Sequence, residues 1–420
     1  MLTQLTRRWR PGLALLAVAG VMSLAATPGP AHAAVRQPGG TLARSAAADG
    51  TQARQQWVLS MLDAEAAWSV TRGAGVTVAV IDSGVDPDVS DLSGSVTAGP
   101  DYTGVSTSTA SSEWGVHGTW MASLIAGHGH DGGGVVGIAP AARILSIRVI
   151  PDRGDPHYRQ YERERETVIQ QSLADGIRYA VAHGAKVISM SIGYSAPSGT
   201  VRAELQDAYD HGVVVIASAG NSGGPAGSGR PGDAPESFPA DYPGVISVSA
   251  VKSSGAVAGF SSDNLSVKVA APGVAVPAEG RDGQYWLVSG TSPACALVAG
   301  VVALIKSRYP GLAPDLVASA LTSTTTDRPA GGYDSKVGFG IVDAAAALAK
   351  AGRLAGARPA VIRIKATARY HGALPPEPVR PRGSGQLLLF ALLALTSLVL
   401  VAAAGTRLAV LRRSAGRADR

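Results

Sequence analysis

A single cysteine, Cys295, excludes any disulfide within this 420-residue chain. Cys295 stands in an apolar stretch, so it reads as a small buried hydrophobe and not as a reactive thiol. Aromatic residues are scarce, at 5%, while glycine is abundant, with 52 copies. That balance fits a compact α/β domain with many tight turns. No internal repeat is evident. The formal charge is +6, yet residues 34–352 carry 22 Lys and Arg against 29 Asp and Glu, a net of −7. The basic excess therefore lies in the two ends of the chain, and the high isoelectric point is no argument for a nucleic-acid partner. Metal-ligand patterns are also missing. His128-Gly129-His130-Asp131 sits in a Gly-rich stretch that reads as a flexible exposed loop. Asp86, Asp88 and Asp91 lack a calcium-ligand spacing. No metal ligands are expected and no cofactor is required.

Apolar strands alternate with helical patterns through the middle of the chain. Gly75 to Ile81, Arg143 to Ile150, Lys186 to Ile192, Val213 to Ser218 and Val245 to Val251 read as buried strands. Val168 to His183 and Val201 to His211 read as helices. The alternation predicts an α/β fold with a mostly parallel central sheet and helices on both faces. The mixed-charge run Asp152 to Glu166 reads as a solvated loop entering a helix.

Three short motifs carry the chemistry. Ser292 lies in Ser289-Gly290-Thr291-Ser292-Pro293-Ala294, ahead of an apolar helix, where unpaired N–H groups and the positive dipole end favour a nucleophile. A serine hydroxyl needs a base, and the base needs an orienting group. Asp82, in Ile81-Asp82-Ser83-Gly84-Val85, would end a buried strand, where open α/β sheets place their sites. His117, in Val116-His117-Gly118-Thr119, would begin a helix. The order is Asp, His, Ser.

These motifs, in this order, resemble those of the subtilisin-like serine proteases. The resemblance runs from about Gln56 to Ala347 and implies a subtilisin-like three-layer fold. It implies a catalytic triad of Asp82, His117 and Ser292, with Asn221 of Ala219-Gly220-Asn221 as an oxyanion-hole donor. It also implies that Ser191, Ile192 and Gly193 form one wall of the substrate cleft, with Ala217, Ser218, Ala219 and Gly220 as the other. Both walls are small or apolar, and Glu236 near the expected pocket floor reads as a solvated loop carboxylate. Pro293 departs from the family pattern, but proline suits the first turn of a helix. Structural calcium is common in that family.

The ends of the chain suggest where it works. Arg7, Arg8 and Arg10 precede an apolar stretch and a small-residue site at Ala31-His32-Ala33, so residues 1–33 read as a signal peptide. Residues 34–55 read as a short extension with no room for a folded inhibitory propeptide. The catalytic domain is expected over 56–352 and a Pro/Arg-rich linker over 353–385. A transmembrane helix is expected over 386–406, where Leu387 to Ala404 lacks any charge. A basic tail, 407–420, would stay cytoplasmic, leaving the catalytic domain outside the cell membrane. This arrangement resembles the mycosins, membrane-anchored proteases associated with type VII secretion. The expected function is cleavage of polypeptides at the outer membrane face, with a secretion-system membrane complex as a candidate partner. The alternative is a protease-like scaffold that steadies such a complex and cuts little.

Overall fold

The computed structural model describes residues 43–45, 50–223, 234–356, 392–400 and 402–407. The expected signal peptide lies outside the described residues, as do most of the expected linker and the basic tail beyond 407. The chain divides into two units, Met1–Ala357 and Arg358–Arg420.

The first unit is built on seven strands in the order β10-β9-β8-β7-β2-β6-β3. In chain order they are β2 (Thr77–Asp82), β3 (Val96–Asp101), β6 (Arg143–Arg148), β7 (Val187–Met190), β8 (Val214–Ser218), β9 (Ile246–Val251) and β10 (Val267–Pro272). Every pairing in this sheet is parallel. A parallel sheet requires crossover helices and buries both of its faces. Side chains alternate accordingly along β2. Val78 and Val80 enter one core with helices α3 (Val116–Ala126) and α6 (Thr291–Arg308). Ala79 and Ile81 enter the other, with α4 (Tyr158–Ala182) and α5 (Gly199–Asp210). This is the three-layer arrangement expected from sequence.

Helix α6 is buried from Thr291 to Lys306, so it runs through the interior. Among the described residues it is the one helix long and apolar enough to cross a membrane, yet 89% of its apolar window lies inside the fold. Gly300 is required there, because a Cβ would stand 2.6 Å from Cβ of Ile138. The remaining helices of this unit are α1 (Thr51–Met61), α2 (Ala64–Trp68), α7 (Pro314–Ser323) and α8 (Ala344–Gly356).

Several boundaries differ from the sequence expectation. Helix α1 starts at Thr51, inside the expected extension, and Gln55 is fully buried with its amide bonded to both backbone groups of Val136. A polar side chain gave no apolar signal there. Within the same extension, β1 (Ala43–Ser45) pairs antiparallel with β12 (Tyr285–Val288), which in turn pairs with β11 (Val276–Glu279). At the other end, α8 runs to Gly356, so residues 353–356 complete a helix and do not begin the linker. The Gly-rich stretch after α3 is a hairpin of β4 (His128–His130) and β5 (Gly133–Val136), not a flexible exposed loop. His130 is held there by Asp91 at 2.7 Å. In the second unit, residues 392–400 and 402–407 are helical, and Leu395, Leu398 and Leu400 are exposed.

Candidate active site

The carboxyl ends of the neighbouring strands β2, β6, β7 and β8 lie side by side, and each ends in or is soon followed by a residue of the candidate site. Asp82 is the last residue of β2 and is buried. Its Oδ1 accepts the Ser83 backbone N–H and lies 2.7 Å from Nδ1 of His117. An ionised carboxylate only accepts, so the imidazole hydrogen resides on Nδ1 and leaves Nε2 with a free lone pair. The His117 ring is 22% exposed, open enough to meet a substrate. Burial alone would lower its pKa. The charge and hydrogen bond of Asp82, with the charge of Asp152, hold it above the usual histidine value.

His117 is the second residue of α3, and two glycines let this helix approach β2. A Cβ on Gly118 would run into the carbonyl of Gly84, and the Gly118 N–H donates to Ser83 Oγ at 3.1 Å. Gly84 has φ +101°, and its missing side chain leaves room for the Trp114 ring. The glycines of the two motifs therefore have a shared reason, which is close passage of two backbones.

Asp152, which follows β6, was missed by sequence reasoning. It is 9% exposed, and its two oxygens accept the backbone N–H groups of Val116 at 2.8 Å and His117 at 3.0 Å. Burial raises its pKa to about 6. Asp155 is also buried, bonded at 2.8 Å to the buried guanidinium of Arg148. The start of the Asp152–Glu166 run is therefore not a solvated loop. The available signal was position, a carboxylate just past a strand adjacent to β2.

Ser292 is the second residue of α6 and is 4% exposed. Its carbonyl accepts a hydrogen bond from Ser191 Oγ at 3.2 Å, which ties it to the end of β7. Asn221, after β8, accepts at Oδ1 from both the N–H of Thr291 at 2.9 Å and the Thr291 hydroxyl at 3.1 Å. This arrangement caps α6 from outside and fixes the amide so that Nδ2 remains available as a donor. Gly220 N–H donates to Thr291 Oγ1 at 3.2 Å, closing the link. Cys295 is fully buried one turn further on, where burial pushes its thiol up to about 12.

One glycine of each expected cleft wall approaches the same hydroxyl. Ser237 Oγ lies 2.7 Å from where a Cβ on Gly193 would stand and 3.2 Å from the corresponding point on Gly220. Ser191, Ile192, Ala217, Ser218 and Ala219 are buried beside them, and Glu236 is exposed. Among the described residues no cluster of three or more His, Cys, Asp or Glu side chains is arranged to hold a metal. Asp86, Asp88 and Asp91 do not converge. Asp91 turns instead to His130, Val135 and Tyr285.

The sequence profile of the subtilase family matches residues 73–340. Fervidolysin of Fervidobacterium pennivorans is 36% identical over 305 residues, which span 67% of this chain and 42% of fervidolysin. The chain thus corresponds to less than half the length of that relative. Among solved structures, MycP1 from Mycobacterium smegmatis is similar with a TM-score of 0.60 at 31% identity, covering 70% of this chain and 84% of MycP1. The MycP3 protease from the type VII (ESX-3) secretion system is similar with a TM-score of 0.58 at 31% identity, covering 70% of this chain and 87% of MycP3.

Proposed function

The chain belongs to the subtilase family, and on that premise we propose that it is a serine endopeptidase acting on polypeptides. The observation that carries this reading is the hydrogen bond from His117 Nδ1 to buried Asp82, which leaves Nε2 as a base. In the proposed reaction His117 takes the proton of Ser292 Oγ as that oxygen attacks the scissile carbonyl carbon. His117 returns the proton to the leaving amine, and an acyl-enzyme on Ser292 remains. Water, deprotonated by the same imidazole, then releases the acid product. Asn221 Nδ2 and the Ser292 backbone N–H stabilise the tetrahedral oxyanion. The helix α6 dipole adds to this, because its positive end faces the developing charge.

Residues 191–193 and 217–220 form the two walls that take an extended substrate strand, a recurring way of binding peptides. The uncharged stretch Leu387 to Ala404 would tether the domain to the outer face of a membrane. The likeness to MycP1 and MycP3 supports a role beside a type VII secretion complex. The scaffold alternative draws no support from the site, because a non-cutting protein has no chemical need for a base with a fixed tautomer.

The test is labelling of membrane fractions with a fluorophosphonate, which reacts with activated serines. A labelled band in the wild type and none in Ser292→Ala is expected. A folded wild type that takes no label would overturn the enzyme reading.

A further inference from the structure

We propose that Asp152 is a positioning residue for His117, gripping the amino end of α3 and so fixing where the imidazole stands. The proposal rests on the reading of His117 as general base.

The argument begins with the helix end. The first N–H groups of a helix have no partner within it. Helix α3 begins after Gly115, at φ 72°, which has no side chain to cap them. Both oxygens of Asp152 take the N–H groups of Val116 and His117, and Ser83 Oγ takes that of Gly118. Three consecutive amides are thus held by side chains that follow β6 and β2. The helix that bears the base is clamped to the two strands that frame the site.

His117 is consequently held at two points by two carboxylates. Asp82 takes its ring and Asp152 takes its backbone N–H. A ring on the second residue of a helix moves with the helix end, so a slack end displaces Nε2. Displacement of a reacting group by about 1 Å can cost on the order of 10²-fold in rate. A neutral cap such as serine or asparagine would satisfy fewer of these donors. The carboxylate also places a negative charge at the positive end of the α3 dipole, where it is favoured.

The charge has a second effect. Asp152 and Asp82 both favour the protonated imidazole, and Arg153 opposes them. Removing the Asp152 charge would therefore lower the His117 pKa, and the acidic limb of the reaction would move to lower pH. A cap that served only folding would leave the maximal rate of a folded variant unchanged, whatever the limb did.

The experiment compares the full-length wild type with Asp152→Asn and Asp152→Ala in fluorophosphonate inactivation across pH. Folding of each variant is checked by thermal melting. For Asp152→Ala the maximal inactivation rate is expected to fall by about 10- to 100-fold, with probe affinity within about twofold. Asp152→Asn retains one acceptor oxygen and should lie between. Both should shift the acidic limb to lower pH. A folded Asp152→Asn protein with the wild-type maximal rate would overturn the proposal, and this near-isosteric variant decides the matter if the alanine variant misfolds. A folded wild type that never reacts with the probe is a separate result. It removes the general-base reading and the positioning role with it.

Discussion

Two donors converge on one oxygen of Asp82: the His117 ring through Nδ1 at 2.7 Å and the Ser83 backbone N–H at 2.7 Å. This convergence makes the role of the carboxylate separable into geometry and charge. In Asp82→Asn the amide oxygen can stay where both donors point. The tautomer of His117 is then preserved and only the charge is lost. The fluorophosphonate reaction rate should fall by less than the roughly 10⁴-fold expected when the tautomer is wrong. Its acidic limb should move to lower pH, because the charge that favours imidazolium is gone. Asp82→Ala, which loses both contributions, should show the larger drop. Equal losses in the two variants would show that charge alone matters.

Thr291 holds Asn221, the proposed oxyanion donor. Its hydroxyl donates to Asn221 Oδ1 and accepts from Gly220 N–H, so it fixes the amide that is proposed to face the substrate. Thr291→Val keeps the shape and removes both bonds. Cleavage of a labelled protein substrate should slow by about tenfold while the backbone bond from residue 291 still holds Asn221 in part. Asn221→Ala removes the donor itself and should cost about 10²–10³ in kcat. The ordering of the two losses is the check.

The buried thiol gives a control for integrity of the site. Cys295 lies on the face of α6 against β7, 3.7 Å from Ser189 Oγ, and burial raises its pKa to about 12. Thiolate is the reactive form, so the native protein should not be alkylated by iodoacetamide at pH 8. Denaturation should expose one thiol per chain. Rapid alkylation of the native form would mean that α6 opens, and the activity data would need reinterpretation.

The sequence displayed the groups that sit where a motif meets a strand end. Asp82, His117 and Ser292 each stand in a short motif where an apolar run ends or begins, and the resemblance to the subtilisin-like proteases added Asn221. The parallel sheet was legible because strands buried on both faces are continuous apolar runs. What stayed hidden depends on contacts between distant segments. Asp152 sits in a run of mixed charge, and nothing local says that its carboxylate turns inward to α3. Strand β11 ends in a fully buried glutamate, Glu279, which reads locally as solvent-facing. The first turn of α1 is anchored by Gln52 and Gln55 through backbone bonds to β5, without apolar periodicity.

Glu279 makes the stability of the fold depend on pH. One carboxylate oxygen accepts the Asp91 N–H at 2.9 Å, and the other is buried with no partner among the described residues. Burial, and then the nearby Asp91 charge, raise its pKa from 4.5 to about 7. A carboxyl whose folded pKa lies above the unfolded value stabilises the fold fully below about pH 4.5 and loses that contribution as pH rises through 7. His130, bonded to Asp91 and also raised, acts in the same direction. Wild-type melting temperature should therefore fall between pH 5 and pH 8. Glu279→Gln cannot ionise, so it should become more stable relative to wild type across that window, by on the order of 2 kcal/mol. His130→Gln serves as the companion variant that separates the imidazole from the carboxyl. A constant difference between Glu279→Gln and wild type from pH 5 to pH 8 would show that Glu279 is ionised throughout, and that burial beside Asp91 does not raise its pKa.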